Sequence, residues 1–502
     1  MNSKIQSSQF TKLQTNHKLT EGKLRTSVSL PQTSFNTDTV IGLEIHVELN
    51  VNTKLFCSCA RTGNDTPNSR VCQVCLGHPG SKPTLNKKVL DHAIKLCLAL
   101  NCTLDHELIF SRKSYFYPDM SKNYQITQFE RPLGFAGSLK LNEKIINIKR
   151  VHIEEDPASI SYPESMQSSK YSLIDYNRCG NSLLEIVTEP ELETPKQARE
   201  FLNKLISILS YLKIFDINAC IIKADANVSI KESNYTRVEI KNITGFKELE
   251  RALTYEIMRQ KTQLRMKREI KTETRGWDPN SKTTKLQRSK ESEDDYGYII
   301  EPDLTITDVN EELVKLLKKE IPELAHQKSE RFIKQYNIDP IDAEVMTLEF
   351  ELAELFEKVA KEINPSLAAK WLRRELLRVL NYNKKTVRDI KFDEKELIEL
   401  LSLVETKTIT DTTAQRIMEQ LIENTFSPKK YVEEKGLSQL TDLSEIKKHC
   451  EKVIKENQKA VDDYKNGEAK AVQYLIGQVM KLTKGKANPE VVNKVMKELV
   501  GS

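Results

Sequence analysis

The chain lacks the features of membrane-spanning and fibrous proteins. Its 502 residues hold no apolar run that approaches the roughly 18 residues a membrane helix needs, which excludes such a segment. Glycine (16) and proline (17) are too few for a collagenous or low-complexity chain. Lysine and arginine (77) barely outnumber aspartate and glutamate (72), so overall charge alone does not indicate a nucleic-acid partner. With 38% hydrophobic and 30% charged residues, the chain has a globular composition, and its length suggests about three domains.

Several signatures of nucleotide binding and nucleophilic catalysis are also absent. The sequence has no G-x-x-x-x-G-K-[ST] loop, no G-x-S-x-G elbow, no kinase signature set and no G-x-G-x-x-G fingerprint. Any ATP chemistry therefore needs a different phosphate cradle. A Ser/Lys-rich amidase signature is missing as well, so we do not expect the chain to free ammonia from glutamine unaided.

The cysteines indicate a reducing compartment and one metal site. Their number, nine, is odd and argues against a disulfide framework, so we expect a cytoplasmic protein. Four of them follow metal-ligand spacing, namely Cys57-x-Cys59 and, 12 residues later, Cys72-x-x-Cys75. Four thiolates close a tetrahedral zinc site with no open position, which predicts a structural zinc ribbon over residues 57–75. The alternative is four reduced thiols without a metal.

The order of periodic segments predicts an α+β fold. Residues 1–38 are polar, which predicts a flexible extension. Residues 39–310 mix strand and helix patterns and predict a domain with a largely antiparallel sheet. Amphipathic helices follow in a helical domain (311–430) and a lysine-rich helical tail domain (431–502). From residue 446 onward the tail has 12 lysines against 7 acids, which suits phosphate contact or an ordinary solvated surface.

Two strands place acids and imidazoles together. On the strand over residues 40–49, Glu44, His46 and Glu48 share the polar face because side chains alternate. This set suits a divalent cation such as magnesium, or acid–base chemistry. The strand ending in His152-Ile153-Glu154-Glu155-Asp156 adds further acids, of which Glu154 shares a face with His152 while Glu155 points the other way. Both segments could instead be solvated polar sheet surfaces.

A predicted hairpin carries mixed charges on one face. Lys223 and Asp225 lie on its first strand, and Arg237, Glu239 and Lys241 lie on its second. Basic groups bind phosphate, and carboxylates bind a cation. The hairpin is therefore a candidate nucleotide site. The alternative is a set of cross-strand salt pairs.

Longer motifs resemble one family, the B subunits of the tRNA-dependent amidotransferases. They run in order through the chain and are VIGLEIHVEL from residue 40, LGHPG from 76, RKSYFYPDMSKNYQITQ from 112, HIEED from 152, DYNRCGNSLLEIV from 175, DANVS from 225, RVEIKN from 237, ETRGWD from 273, RSKE from 288, EPDL from 301 and GKANP from 485.

The resemblance implies an enzyme that works on mischarged tRNA. Members have a cradle-shaped catalytic domain, a helical domain and a tRNA-holding tail. They use ATP and magnesium to phosphorylate the side-chain carboxylate of Asp-tRNA(Asn) or Glu-tRNA(Gln), and ammonia then displaces the phosphate. The ammonia comes from glutamine through an amidase-like A subunit, and a small C subunit completes the heterotrimer. A non-catalytic tRNA-binding scaffold is the alternative function.

The resemblance also assigns site residues. It implies catalytic and magnesium-binding roles for Glu44, His46, Glu154 and Glu155, with Glu185 of LLEIV as a further ligand. It supports zinc at the paired cysteines. The charge pattern of the hairpin, and not the resemblance, assigns the nucleotide to Lys223, Asp225, Arg237 and Lys241.

Three stretches depart from the family pattern. Residues 219–222 (ACII) replace an E-G-S stretch, residues 295–298 read DYGY where many members have DYRY, and Ser182 is often proline. These variants are similar to archaeal members, which favours Asp-tRNA(Asn) as the substrate.

Overall fold

The computed structural model describes residues 37–164, 168–289, 297–438, 443–465, 468–483 and 486–500. Apart from residues 37 and 38, the predicted N-terminal extension lies outside this part of the chain, as do Asp295 and Tyr296 of the DYGY stretch. Among the described residues, no helix is both long and apolar enough to cross a bilayer.

Sixteen strands are present in the described residues. They are β1 (Thr39–Glu48), β2 (Thr103–Leu104), β3 (Glu107–Leu108), β4 (Ser111–Ser114), β5 (Tyr124–Thr127), β6 (Gly134–Lys140), β7 (Ile145–Glu155), β8 (Ser159–Ser161), β9 (Leu173–Asp175), β10 (Ser182–Thr188), β11 (Ile222–Ile230), β12 (Val238–Thr244), β13 (Glu273–Asp278), β14 (Thr283–Ser289), β15 (Gly297–Ile300) and β16 (Thr307–Asp308).

Sixteen α-helices are present in the same residues. They are α1 (Lys87–Ala99), α2 (Pro195–Tyr211), α3 (Phe246–Arg265), α4 (Glu311–Lys319), α5 (Ala325–Tyr336), α6 (Pro340–Thr347), α7 (Phe350–Val359), α8 (Pro365–Trp371), α9 (Leu377–Tyr382), α10 (Glu394–Glu405), α11 (Asp411–Glu423), α12 (Pro428–Lys435), α13 (Leu443–Glu456), α14 (Gln458–Lys465), α15 (Ala469–Leu482) and α16 (Pro489–Val500).

A nine-stranded sheet dominates the N-terminal region, and its order is β14-β13-β12-β11-β1-β10-β7-β6-β2. Every neighbouring pair is antiparallel except β12 and β13. The predicted α+β fold with a largely antiparallel sheet is therefore confirmed. The first long strand, β1, lies in the middle of the sheet between β10 and β11, so its polar face is flanked on both sides.

The apolar face of this sheet forms the main core. Alternate residues of β1, including Ile41, Leu43 and Ile45, are fully buried, as the period-two pattern predicts. Helix α3 packs against β11 and β12, and α2 packs against α3. Thr194 caps α2 by accepting a hydrogen bond from the backbone N–H of Gln197 at 3.2 Å. The opposite, polar face of β1 is left for chemistry.

The helices after β16 extend this core and then form a second one. Buried residues from the sheet through α12, including Val432, belong to one apolar cluster. The helices from α13 to α16 form a separate cluster that contains Cys450, Leu475 and Met496. The predicted domain boundaries at residues 310 and 430 stay predictions.

Candidate functional site

The candidate site lies on the polar face of the large sheet, around β1. Backbone register sets His46 opposite Glu185 of β10 on one side and opposite Lys223 of β11 on the other. Two residues earlier in β1, Glu44 lies opposite Asp225. Side chains two residues apart on a strand leave the same face, so residues from three distant parts of the chain meet here.

His46, Glu154 and Glu185 form the first acidic cluster. The Nε2 atom of His46 lies 3.4 Å from Oε1 of Glu154 and 3.4 Å from Oε2 of Glu185. One donor atom from each of the three residues lies within 4.8 Å of the other two. The His46 side chain is 26% exposed, against 7% for Glu154, so the imidazole lies at the open side of the cluster. An imidazole with two carboxylates is a donor set for a divalent cation.

His152 lies behind this cluster and contacts both carboxylates. Its Nε2 is 3.3 Å from Oε2 of Glu185 and 3.6 Å from Oε2 of Glu154, and its side chain is 4% exposed. Among the described residues, its buried Nδ1 has no hydrogen-bond partner. Arg150 approaches Glu185 from another side, with Nη2 3.5 Å from Oε1. The two carboxylates are thus held by neighbours on the same sheet.

The pKa values in the first cluster reflect these contacts. Burial alone would lower the pKa of His46, but its hydrogen bonds to Glu154 and Glu185 outweigh burial and raise the pKa well above its usual value. Burial likewise opposes the rise at His152, where the charge of Glu185 and the contact with Glu154 raise the pKa to about 9. Burial would raise the pKa of Glu154, but the two imidazoles lower it to about 2. These contacts therefore favour the ionised form of the carboxylates, which is the form that binds a cation.

A second acidic cluster lies beside the first and consists of Glu44, Asp225 and Glu239. One carboxylate oxygen from each lies within 4.8 Å of the others. Lys241 partly neutralises them, with Nζ 2.9 Å from Asp225 and 3.0 Å from Glu239. Burial, followed by repulsion from Glu185, raises the pKa of Glu44. Unlike the first cluster, this one offers only oxygen ligands, which hard cations prefer.

Glu155 does not reach either cluster. Its Oε1 forms a buried ion pair with Lys122 and accepts a hydrogen bond from the backbone N–H of Ile126 at 2.8 Å. Strand alternation directs Glu155 and Glu154 to opposite faces of β7. The structure therefore separates the two glutamates, which corrects the expectation that both hold magnesium, and Glu155 is no longer a proposed ligand.

The predicted nucleotide-binding residues are divided between two places. Asp225 and Lys241 lie in the second cluster, and Lys223 lies next to His46 in the register. Arg237 is exposed and lies two residues before Glu239 of the second cluster, just ahead of β12. Its assignment to the nucleotide stays a prediction.

The altered stretch at residues 219–222 supports a buried carboxylate of β1. The backbone N–H of Ile221 donates to Oε2 of Glu48 at 3.1 Å, and Asn181 Nδ2 donates to Oε1 at 2.8 Å. Glu48 is 6% exposed, and Arg61 lies 3.5 Å away. The carboxylate of Glu48, the third acid of β1, is therefore held by structural contacts and belongs to neither acidic cluster. A backbone donor serves Glu48, so this contact does not depend on the side chain at residue 221.

The four predicted zinc ligands also meet. The Sγ atoms of Cys57, Cys59, Cys72 and Cys75 lie within 4.8 Å of one another. A hydrogen bond from Cys57, together with the nearby Lys54 ammonium, lowers the pKa of Cys75 to about 5. Residues 57–75 form turns and bends, with one bridge between Thr53 and Ala60, and contain no strand. The four thiols thus meet in a loop of short polar turns without strands, and the predicted zinc stays a prediction.

The donor sets fit the predicted metals. Clustered carboxylates with one imidazole suit magnesium or manganese, and four clustered thiols suit zinc. Asn227, two residues after Asp225 on the same face, has a buried Oδ1 without a hydrogen-bond partner in the described ranges. Water bound to a cation at the three carboxylates would donate a hydrogen bond to this oxygen and give it a partner.

Three residues that lie at these sites, Glu239, His152 and Lys122, have no site role predicted from the sequence. Glu239 is predicted on the polar face of the hairpin, and its role follows only from the bulge that aligns β12 with β11. His152 shares a face with Glu154, which is a usable signal. Lys122 has no periodic signal, since it lies in a turn before β5.

Comparison with known proteins identifies the family. Residues 39–315 match the GatB/GatE catalytic domain, and residues 354–500 match the GatB domain. The aspartyl/glutamyl-tRNA(Asn/Gln) amidotransferase B subunit of Carboxydothermus hydrogenoformans is 43% identical over 472 residues, covering 92% of this chain and 98% of that protein. The proteins of the same name from Clostridium botulinum and Thermoanaerobacter pseudethanolicus are 40% and 41% identical with the same coverage.

These relatives are bacterial, and the likeness of the three altered stretches to archaeal members stays a prediction. The matches span nearly the whole chain and both of its regions, and they agree with the resemblance carried by the sequence motifs. The chain therefore belongs to the family of B subunits of the aspartyl/glutamyl-tRNA(Asn/Gln) amidotransferases.

Proposed function

We propose that this chain uses ATP and magnesium to activate the side-chain carboxylate of Asp-tRNA(Asn), Glu-tRNA(Gln) or both, for amidation by ammonia. The observation that carries the proposal is the pair of acidic clusters on one open sheet face, around His46 and around Glu44. Two adjacent sites rich in ionised carboxylates suit the binding of metal and phosphate. The family membership supports the same chemistry.

The chain's own residues would bind and orient the reactants. His46, Glu154 and Glu185 would hold one cation, and Glu44, Asp225 and Glu239 could hold another. Magnesium and ATP, when bound, supply charge neutralisation and the phosphoryl group that turns the carboxylate into an acyl phosphate. Lys223 lies beside His46 and is the basic residue best placed to meet a phosphate. The reacting carboxylate belongs to the substrate, so no protein nucleophile is needed.

Partners would supply the ammonia and complete the enzyme. We propose an amidase-like A subunit that releases ammonia from glutamine and a small C subunit, in a heterotrimer. The lysine-rich helices α13–α16 would hold the tRNA through its phosphates. The four clustered thiols would bind a structural zinc, and such free thiols are compatible with work in the cytoplasm.

A reconstituted transamidation assay tests the proposal. The chain is combined with A and C subunits whose glutaminase activity is verified, and with ATP, Mg²⁺, glutamine and each of the two mischarged tRNAs. We expect conversion of at least one aminoacyl group to its amide, with ATP hydrolysis stimulated by the mischarged tRNA. A complex that binds tRNA but hydrolyses no ATP would favour the scaffold alternative.

Variants of the site make the assay specific. Glu154→Gln keeps the shape of the side chain but removes a charge that a cation needs, and we expect activity to fall at least about 100-fold while tRNA binding persists. Glu143→Gln changes an exposed acid in the turn between β6 and β7 and serves as the matched control. Equal activities for the two variants would reject the assigned site.

A further inference from the structure

One short segment, residues 121–127, touches both the cysteine cluster and the carboxylates of the first acidic cluster. At its start, Ser121 Oγ donates to the carbonyl oxygen of Cys75 at 2.7 Å. At its end, Thr127 Oγ1 donates to Oε2 of Glu154 at 3.2 Å. We call residues 121–127 the bridging segment. It connects the backbone of the cysteine loop to Glu154, a candidate magnesium ligand.

The middle of the bridging segment holds Glu155, the residue after that ligand. Lys122 pairs with Glu155, and both side chains are nearly buried, at 7% and 6% exposure. The backbone N–H of Ile126 donates to the same carboxylate at 2.8 Å, and Gln125 Nε2 donates to the backbone oxygen of Glu155 at 2.7 Å. The bridging segment therefore contacts the side chains of both Glu154 and Glu155, which leave opposite faces of β7.

The side chain of Lys122 in turn packs against Gly77, which follows the cysteine loop. Gly77 follows Cys75 in the chain, with φ of +69°, and a Cβ on it would clash with Cγ of Lys122. The lysine stem thus occupies the space that a side chain at residue 77 would need. Lys54 is fully buried on the other side of Cys75, with Nζ 3.7 Å from its Sγ. A change in the shape of this loop would therefore displace the side chain of Lys122.

We propose that Lys122 and Glu155 are positioning residues that make the geometry of Glu154 depend on the metal held by the four cysteines. This rests on the proposed function, in which Glu154 binds a cation. Loss of metal from the four thiols frees the loop that leads to Gly77, against which the Lys122 side chain packs. The Lys122–Glu155 pair is buried, so displacing one partner leaves the other charge unpaired and shifts the end of β7. Oxidation of the thiols, or a shortage of zinc, would then weaken the catalytic centre without touching it.

A thermodynamic cycle on the full-length chain tests this coupling. Mn²⁺ serves as the probe, its binding is measured by electron paramagnetic resonance, and zinc content is measured separately. We expect removal of zinc from the wild-type chain to weaken Mn²⁺ binding by about 10- to 100-fold, as for other outer contacts of metal ligands. Lys122→Met should weaken Mn²⁺ binding to a similar degree while zinc stays bound. Because both changes break one connection, zinc removal from the variant should add less than about threefold.

Further variants keep the result decisive. Glu155→Gln removes the other partner and should reproduce Lys122→Met, and it serves if that variant does not fold by circular dichroism. Lys82→Met changes an exposed lysine in the segment after the cysteine loop and should leave Mn²⁺ binding unchanged. Mn²⁺ affinity that is indifferent to zinc, or effects that simply multiply, would overturn the coupling. A zinc-loaded wild-type chain that binds no Mn²⁺ would instead refute the cation site itself, and the coupling with it.

Discussion

His152 illustrates how a residue that is not itself a proposed cation ligand can affect the geometry of a site. Its Nε2 contacts Glu154 and Glu185, and it is almost fully buried. Two carboxylates so close together repel each other unless donors hold them. His152 supplies such a donor from the buried side of the cluster, and the more exposed His46 lies at its open side.

Replacing His152 should therefore weaken cation binding. In His152→Leu the two carboxylates lose a shared donor, and we expect Mn²⁺ affinity to fall by about 10- to 100-fold. His152→Gln, whose Nε2 can reach the same oxygens, should recover most of the loss. The comparison is made by Mn²⁺ titration followed by electron paramagnetic resonance. Equal losses in both variants would indicate a packing role and not a donor role.

A second histidine, His92 of α1, should make the stability of the fold depend on pH. Burial, with help from the charges of Lys88 and Lys95, lowers its pKa to about 4 from the usual value of 6.5. The unfolded chain binds this proton more readily, so stability is full above about pH 6.5, falls as the pH drops and levels off below about 4. The complete effect amounts to about 3 kcal/mol of unfolding free energy.

The variant His92→Leu isolates this effect. Between pH 7 and pH 5 the urea midpoint of the wild-type chain should fall more than that of the variant, because only the wild type gains a proton at this position on unfolding. Carboxylates elsewhere titrate equally in both proteins and cancel in the comparison. Parallel pH profiles would show that His92 is protonated at little cost in the folded chain.

At the level of single residues, strand alternation is the informative signal. It puts Glu44 with His46, and Glu154 with His152, because the period of a strand fixes which side chains share a face. It also sets Glu155 on the opposite face, against the assignment carried over from the family. The partners Glu239 and Lys122 need the register of β12 and a turn in three dimensions, neither of which a single sequence specifies.

At the scale of elements, α2 joins the sheet to the helical region. The hydroxyl of Tyr211, at the end of α2, donates to the carbonyl oxygen of Thr347 in α6 at 3.0 Å, and the tyrosine is 1% exposed. Its ring also meets Phe350 edge to face, with centroids 5.4 Å apart. This contact helps to fix the helices against the catalytic sheet.

Tyr211→Phe should loosen this junction while keeping the ring. A buried carbonyl loses its partner, which costs about 1–2 kcal/mol, so the urea midpoint should fall and amide exchange in α6 should rise. Tyr382→Phe is the matched control, since Tyr382 is 86% exposed. If both variants unfold alike, the hydroxyl of Tyr211 contributes nothing net.

The elements themselves are largely predictable where capping or alternation is strong. Thr194 as N-cap and Pro195 at the first helical position are typical start signals for α2, which is observed at Pro195–Tyr211. The strands of the predicted hairpin are observed at Ile222–Ile230 and Val238–Thr244. The cysteine loop is less predictable, because its turns and bends follow no repeating apolar pattern. Strand order is beyond reach, since it depends on pairings between segments more than a hundred residues apart.

At the scale of the whole molecule, the lysine-rich tail carries an exposed basic stripe. Lys448, Lys452 and Lys455 of α13 follow helical spacing and are all exposed. Replacing the three with glutamine should weaken tRNA binding and reduce the slope of log affinity against log salt by about 0.7–0.9 for each phosphate that is no longer neutralised. Filter binding over a range of salt concentrations measures both quantities.

A triple variant elsewhere shows whether position matters. Lys315, Lys318 and Lys319 of α4 are also exposed, and changing them to glutamine removes the same total charge. We expect this change to leave the salt dependence of tRNA binding nearly intact. A similar loss of affinity in both triple variants would mean that net charge, and not the tail surface, determines tRNA binding.

The central position of β1 has a consequence for how the protein is made. The ribosome delivers this strand among the first, yet its neighbours β10 and β11 emerge well over a hundred residues later, and Glu239 later still. No truncated product that stops before β11 can assemble the chemistry described above. An interrupted synthesis therefore yields fragments in which at least one acidic cluster is incomplete, because Glu185 and Asp225 come from β10 and β11, which are made long after β1.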